Sequence, residues 1–389
     1  MSQLKVNTIR HTGASSDAIT LASDGTATAK ITNRSNRNII INGAMQVAQR
    51  GTSSTSLGFI CDRFYTKWDG ADEAITHAQV AVTADTPAWN AGFRKALQLT
   101  NGNQTSGAGA ADYVYIQSYL EAQDLANSGW DYTSTSSYVT LSFWVKSSVA
   151  QNFYGRLWSI DGTSQAYVFE TGSLSADTWT KVTKTIPGAA NVQFDDNTDA
   201  GFQFLIAPFY GTDKTGTRPL NAWAASAAAT TTPDYTSTWY TTNDATFAIT
   251  GVQLEVGDTA TDFEHRSYGD ELQRCLRYYW HASKIGSTSD VSNKGIGFGF
   301  YHQTGEARFH FQYPVIMRAQ PTVISNNNSN SWYFNPDGTA DLFDDFAVYS
   351  TTNQNAILKN DSDMNGTSGR AGVVYQETGD SSLGFDAEL

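Results

Sequence analysis

Alternation of apolar and polar side chains is the feature that most constrains how this chain can fold. The clearest example is residues 138–146, where every second residue is apolar: Val139, Leu141, Phe143 and Val145. A β-strand points successive side chains to opposite faces of its sheet, so this period of two indicates a strand with one buried face. Residues 39–41 and 202–207 are short apolar runs that indicate two more strands. Between 247 and 256 the alternation changes parity at Gly251, which predicts a β-bulge.

Composition supports a fold of sheets joined by turns. Only 16% of the residues are charged, and 13% are aromatic. Threonine and aromatic side chains suit a half-buried pleated surface, whereas glycine and asparagine suit tight turns. We therefore predict an all-β protein, with a jelly-roll β-sandwich in residues 37–266 and a second β domain in residues 267–389.

Residues 1–36 are predicted to form an extended N-terminal arm. They are rich in Thr, Ser and Ala and hold few large apolar side chains, so they cannot bury a core of their own. We expect the arm to pair with other copies of the chain or to dock on another protein. The alternative is a disordered tail.

One short helix is predicted to join the two β domains. Its apolar face recurs at helical spacing and consists of Leu272, Cys275, Leu276 and Tyr279. Ser267 is the expected residue at its N-terminal cap. Cys275 and the chain's other cysteine, Cys61, fit no metal or redox spacing, so we expect two buried thiols.

A β-hairpin is predicted early in the C-terminal domain. Residues 295–300 alternate glycine with Ile296, Phe298 and Phe300. A turn follows at 303–306, and the chain then alternates again on its return. The three glycines of this strand leave room for the close approach of another backbone or of an aromatic ring.

Charge excludes some partners. The net charge is −13, and Lys and Arg form no cluster. Nucleic acid and anionic membrane surfaces are therefore poor partners, because both require clustered cations. The N-terminus lacks an apolar signal core and no run of 18 apolar residues occurs, so we expect synthesis in a cytoplasm without a signal peptide.

Four motifs resemble those of virion structural proteins of tailed bacteriophages of the marine type. The first, residues 4–9, resembles the opening of such proteins. The second and third resemble the opening and the closing of a jelly roll similar to carbohydrate-binding modules; the opening motif is 42–51 with 62–64, and the closing motif is 249–257 with 260, 263–266 and 271–272. The fourth, 311, 314–315, 317–318 and 321–323, resembles a C-terminal domain often attached to that jelly roll. The resemblance implies a tail-fibre-like virion protein, usually assembled as a homotrimer.

From this resemblance we expect a non-enzymatic appendage subunit that attaches the virion to a host surface glycan or protein. The arm would bind other tail or capsid proteins, which leaves the C-terminal domain farthest from the particle and therefore the expected place of host contact. A capsid-surface decoration or fibre protein is one alternative. A polysaccharide depolymerase is a weaker one, because no β-helix repeat is visible and the six histidines occur singly.

Aromatic residues in two segments are candidates for ligand binding. They are Trp223, Tyr235, Trp239 and Tyr240 in a long loop, and Trp332 and Tyr333 after a run of Asn and Ser. Aromatic rings can stack on the apolar faces of saccharides. The alternative is that these rings pack the loop onto the sandwich and fill the core of the C-terminal domain.

Residues 361–366 match the first half of an oxygen-rich calcium loop. The candidate ligands are Asp361, Asp363 and Asn365. Gly372 holds the twelfth position, where such a loop places a bidentate glutamate. The alternative is a solvated polar turn, and no cofactor other than this possible structural calcium is expected.

Overall fold

The computed structural model describes residues 5–14, 17–29, 35–283, 294–377, 379 and 381–389. Its regular structure is nearly all β, which confirms the predicted class. In these ranges the helices are α1 (Pro87–Asn90), α2 (Ala122–Ala126) and α3 (Tyr268–Leu276), with a 3₁₀ turn at Thr212–Lys214. Among the residues described, no helix has the length and apolar character needed to cross a membrane.

The described part of the N-terminal segment forms a small antiparallel sheet. Its strands are β1 (Thr8–Ile9), β2 (Ile19–Leu21) and β3 (Ala27–Ala29). Ile9 is 52% exposed, and no described residue of the segment joins a buried apolar cluster. The described residues of the segment therefore form a three-stranded sheet where a single extended arm was predicted.

Residues 53–256 form two facing antiparallel sheets. Their strands are β4 (Ser53–Ser54), β5 (Gly58–Phe59), β6 (Tyr65–Asp69), β7 (Thr76–Ala81), β8 (Lys95–Thr100), β9 (Tyr113–Glu121), β10 (Tyr138–Ser147), β11 (Asn152–Ser159), β12 (Gln165–Ser173), β13 (Thr180–Pro187), β14 (Ala200–Tyr210), β15 (Trp223–Ala225) and β16 (Thr246–Val256). The first sheet has the order β13-β10-β16-β8-β7-β4, and the second β15-β12-β11-β14-β9-β6-β5. Strands β8, β10, β13 and β16 lie in the first sheet and β9, β11, β12 and β14 in the second, which is the arrangement of an eight-stranded jelly roll.

Aromatic rings from both sheets fill the space between them. Phe143 of the first sheet packs against Phe169 and Phe204 of the second, with ring centres 6.0 and 5.9 Å apart. Phe153 meets Phe247 at 4.9 Å in the same way. Phe143, Phe204 and Phe247 belong to segments that the sequence pattern identified as strands, whereas Phe153 and Phe169 belong to strands that it did not identify.

Two local predictions in the sandwich had different outcomes. Gly251 has a φ of 65°, and the register shifts opposite it, which confirms the bulge. The predicted strand at 39–41 is wrong, because the side chain of Asn38 takes the hydrogen bonds that a strand would need. Its Oδ1 accepts from the backbone of Ile40 and of Leu254, both at 3.0 Å.

The opening segment 42–51 packs on β16 without room for a side chain at Gly43. The backbone N–H of Val252 donates to the carbonyl of Gly43 at 2.9 Å. A Cβ atom at Gly43 would lie 2.0 Å from the carbonyl oxygen of Val252. That oxygen belongs to a core strand, so it cannot move aside without disturbing the sheet.

We expect Gly43→Ala to lower the free energy of unfolding by about 1–3 kcal/mol, the usual cost of overpacking. Gly269→Ala is the matched control, because the nearest atom to a Cβ there is 4.0 Å away and alanine favours the helix α3. Urea denaturation of both variants measures the difference. Equal stability of the two would contradict this account of the opening segment.

The helix α3 connects the sandwich to the C-terminal strands, as predicted. Ser267 caps it by accepting from the backbone N–H of Asp270 at 3.1 Å, and Cys275 is fully buried. Tyr279, predicted on the helical face, instead begins the next strand and pairs with Asp386. Both cysteines are free and buried, which confirms the prediction for them.

The C-terminal residues form two further antiparallel sheets. Their strands are β17 (Tyr279–Ser283), β18 (Lys294–Gln303), β19 (Glu306–Gln312), β20 (Thr322–Asn326), β21 (Trp332–Asn335), β22 (Asp341–Phe343), β23 (Ala347–Thr351), β24 (Asn355–Asn360), β25 (Ala371–Gln376) and β26 (Ser382–Asp386). The sheet orders are β17-β26-β20 and β22-β21-β25-β18-β19-β24-β23. The predicted hairpin is β18–β19.

The glycines of β18 make room for rings of the same chain. A Cβ at Gly299 would lie 2.5 Å from the ring of Phe309, and one at Gly297 would lie 2.9 Å from the ring of Phe311. Because side chains alternate along the strand, the phenylalanines between these glycines face outward. Phe298 is 71% exposed.

A buried charge cluster joins the sandwich to the C-terminal strands. Arg63 is 3% exposed and donates to the carboxylate of Glu388 and to the carbonyl of Tyr119. Its guanidinium carbon lies 3.4 Å from the centre of the Tyr278 ring. Arg50 donates to Glu388 at 3.4 Å from the other side. These contacts fix one end of the jelly roll to the end of the chain.

Candidate functional site

Four of the six aromatic residues predicted to bind a ligand are buried: Trp239, Tyr240 and Trp332 in the apolar cores, and Tyr333 against the ring of Tyr375. Trp239, Tyr240 and Trp332 are fully buried, and Tyr333 is 7% exposed. Tyr240, for example, stacks on Phe209 with the ring centres 4.5 Å apart. A ring without a free face cannot stack on a sugar, which corrects the prediction for these four residues. Their positions match the alternative, that they pack the fold.

Trp223 and Tyr235 are half-buried. Trp223 ties β15, at the edge of the second sheet, to β13 of the first, and Tyr235 holds the long loop against the second sheet. The Trp223 indole donates to the carbonyl of Pro187 at 2.7 Å. The Tyr235 hydroxyl donates to the carbonyl of Ala207 at 3.0 Å. Both side chains therefore use their polar atoms within the protein, as packing residues do.

The three predicted calcium ligands each have a hydrogen-bond partner within the chain. The Asp361 carboxylate accepts from the ammonium of Lys359, and Asp363 accepts from a neighbouring side-chain amide at 3.0 Å. Asn365 donates its backbone N–H to Asp341 at 2.8 Å. Calcium binding by these three residues stays a prediction. In the part of the chain that is described, no three His, Cys, Asp or Glu side chains are placed to hold a metal.

A different group of side chains lies together on the outer face of the second sandwich sheet. In β9 the even-numbered residues from Val114 to Leu120 are buried, so the odd-numbered residues point outward. The same alternation in β6 and β11 adds residues from two more strands, and β14, which is buried almost throughout, adds Gln203 opposite Tyr119. We call the resulting set the tyrosine patch: Tyr65, Lys67, Tyr113, Tyr115, Gln117, Tyr119, Arg156, Trp158 and Gln203.

Strand register makes the patch continuous. Tyr65 of β6 lies opposite Gln117 of β9, and Tyr119 of β9 lies opposite Gln203 of β14. Gln203 in turn lies opposite Trp158 of β11. Opposing side chains in such pairs are about 5 Å apart, so these residues form one surface across four strands.

Hydrogen bonds between side chains cross the middle of the patch. Gln203 donates to the amide oxygen of Gln117 at 2.8 Å and accepts from two nitrogens of Arg156 at 3.2 and 3.0 Å. The Arg156 guanidinium carbon lies 4.8 Å from the centre of the Trp158 ring. Burial lowers the pKa of Arg156, but an arginine keeps its charge at neutral pH.

The rings of the patch combine apolar faces with hydroxyl donors. Tyr113 and Tyr115 stack at 5.5 Å with their planes 21° apart. Burial raises the pKa of Tyr115 and of Tyr119, so both phenols stay protonated at neutral pH. A groove of about 340 Å³ runs between Tyr65 and Tyr119. Such a surface can stack on the apolar side of a flat, polar molecule while hydrogen bonding to its edge.

The sequence contains a signal for part of this patch. Residues 113–119 read Tyr-Val-Tyr-Ile-Gln-Ser-Tyr, which alternates with a period of two. The tyrosines alternate with the aliphatic residues along the segment. The pattern therefore indicates a strand with aliphatic side chains on one face and large aromatic side chains on the other. The contributions of Arg156 and Gln203 come from strands far away in the sequence.

No protein-family model matches the chain, and no curated protein does. Among solved structures it is similar to the enzymatically active domain of tailspike protein 4 of bacteriophage CBA120, with a TM-score of 0.30, 11% identity, and coverage of 57% of this chain but only 21% of that one. It is also similar to the N-terminal cellulose-binding domain of Cellulomonas fimi β-1,4-glucanase C, with a TM-score of 0.26, 10% identity, and coverage of 55% and 99%. A third similar structure is the xylan-binding domain of Xyn10C from Paenibacillus barcinonensis, with a TM-score of 0.25, 12% identity, and coverage of 55% of this chain and 100% of that one.

Proposed function

We propose that this chain is a non-enzymatic, tail-fibre-like subunit of a bacteriophage surface appendage, and that it attaches the particle to saccharides of the host envelope through the tyrosine patch. The patch itself is the observation that carries the proposal. It holds four tyrosines, one tryptophan and an amide network on strands of a jelly roll. Side chains fixed on a sheet lose little conformational entropy on binding, which favours recognition of a flexible polymer.

The virion part of the proposal is supported by the motifs that resemble phage proteins. The opening motif contains Asn42, whose backbone N–H donates at 2.6 Å to Glu271 of the closing motif. The two motifs thus act as one structural unit. The N-terminal sheet, with its exposed Ile9, is the part proposed to bind other tail or capsid proteins.

Binding of the full chain to immobilised envelope polysaccharides from candidate host bacteria tests the proposal. The expected result is saturable binding that is lost after periodate oxidation of the sugar rings, with no release of reducing ends. Absence of saturable binding to every polysaccharide tested would overturn the saccharide assignment. Release of reducing ends would identify a depolymerase instead.

Assembly as a homotrimer is part of the same proposal. It rests on the resemblance to phage appendage proteins and on an N-terminal segment whose described residues join no buried apolar cluster. We expect sedimentation equilibrium of the purified chain at micromolar concentration to give the mass of three chains. A monomer under these conditions would contradict trimer assembly but would leave saccharide binding to be judged on its own test.

A further inference from the structure

Two arginines in and beside the tyrosine patch lack an acidic partner. Arg156 donates only to the neutral amide of Gln203. Arg218 reaches the patch from the long loop, where it donates to the carbonyl of Ala224 at 3.5 Å. Ala224 pairs with Ala166, which lies opposite Trp158 on the next strand. Both guanidinium groups are therefore near the Trp158 end of the patch.

Neither arginine has a carboxylate within ion-pair distance. Within the described ranges, Arg63, Arg266 and Arg277 each lie within that distance of a glutamate, whereas Arg156 and Arg218, like Arg94 and Arg274, form no ion pair. Such an omission is notable in a chain with 38 acidic residues and only 25 Lys and Arg. Placing two cations together in a partly buried position costs free energy unless an anion completes the site.

Unused hydrogen-bond donors occur at the same end. Among the residues described, the indole nitrogen of Trp158 and Nε of Arg218 are buried without a hydrogen-bond partner. Burial lowers the pKa of Arg218, and the positive charge of Arg156 lowers it further. Buried donors in proteins are nearly always satisfied, so these groups point to an acceptor supplied from outside the chain.

We propose that the tyrosine patch selects acidic saccharides, and that Arg156 and Arg218 bind the carboxylate of an acidic sugar while the rings stack on the chain of sugars. This inference rests on the proposed function and names its ligand class. A guanidinium presents parallel N–H donors that match the two oxygens of a carboxylate. The bound carboxylate would also neutralise two like charges that otherwise repel each other.

Paired polysaccharides test the inference without changing the protein. Acidic envelope polysaccharides are compared with the same polymers after chemical reduction of their carboxyl groups, which keeps the sugar rings and removes the charge. We expect the wild-type chain to bind the acidic form about tenfold or more tightly, as one charged hydrogen-bonding site would give. A sulfated dextran beside plain dextran shows whether any anion suffices or a carboxylate is required.

A double variant, Arg156→Gln with Arg218→Gln, should bind both forms of the polymer equally and at the affinity of the reduced form. Arg370→Gln is the matched control, because Arg370 is an exposed arginine of the C-terminal sheet and should keep the preference. Equal binding of the acidic and reduced forms by the wild-type chain would overturn the acidic selectivity and leave the proposed function standing. Binding of neither form would overturn both.

Discussion

Replacing Arg63 with methionine is expected to lower the free energy of unfolding by about 3 kcal/mol, the lower end of the range for breaking a buried ion pair. The substitution leaves the carboxylate of Glu388, which is 6% exposed, with only the more distant Arg50 beside it. It also removes the cation that packs on the ring of Tyr278. Urea denaturation, followed by tryptophan fluorescence, measures the loss.

A second substitution separates charge from packing. Arg63→Met combined with Glu388→Gln removes both charges, so we expect it to recover part of the lost stability, because no unpaired carboxylate remains buried. The exposed pair Arg370 and Asp337 is the control, and Arg370→Met should change the stability by less than about 1 kcal/mol. If the double variant is less stable than Arg63→Met, the lone carboxylate is not the cause of the loss.

Removing two rings from the tyrosine patch is expected to have the largest effect on binding. Tyr115→Ala with Trp158→Ala should weaken binding of envelope polysaccharide by about a hundredfold, if each ring contributes as an ordinary hot-spot aromatic does. Tyr268→Ala is the matched control, because Tyr268 is 56% exposed on α3 and lies outside the patch. Titration calorimetry with the full chain gives each affinity.

A conservative variant guards against loss of folding as the explanation. Tyr115→Phe keeps the ring and loses only the hydroxyl, so it should bind within a few-fold of the wild-type chain. Unchanged affinity of the Tyr115→Ala, Trp158→Ala chain, with its fold intact by circular dichroism, would show that the saccharide binds elsewhere.

Much of the fold could be predicted because its signals are local. The alternation around Phe143, the parity change at Gly251 and the cap at Ser267 each depend on residues close in the sequence. The strand predicted at 39–41 failed for an equally local reason, since Asn38 competes with the sheet for backbone hydrogen bonds. Local competition of this kind is not visible in the apolar pattern alone.

The site was harder to predict because aromatic residues serve both the core and the surface. Trp239 and Trp332 are fully buried, whereas Tyr115 faces outward, although all are large aromatic residues. Only the pairing of strands tells which face of an alternating segment is the inner one. The pairing that brings Arg156 beside Gln203 also depends on contacts between distant strands, which a single sequence does not reveal.

A crystal structure of the full chain with a bound envelope oligosaccharide tests the central claim most directly. The account predicts that sugar rings lie on Tyr115 and Trp158 of the second sandwich sheet, with polar groups of the saccharide hydrogen bonded to Gln117. The contrary result is an oligosaccharide bound on the C-terminal sheet, beside the exposed Phe298, with the tyrosine patch empty. That result would place host contact on the C-terminal domain, where the sequence and its resemblance to phage proteins led us to expect it.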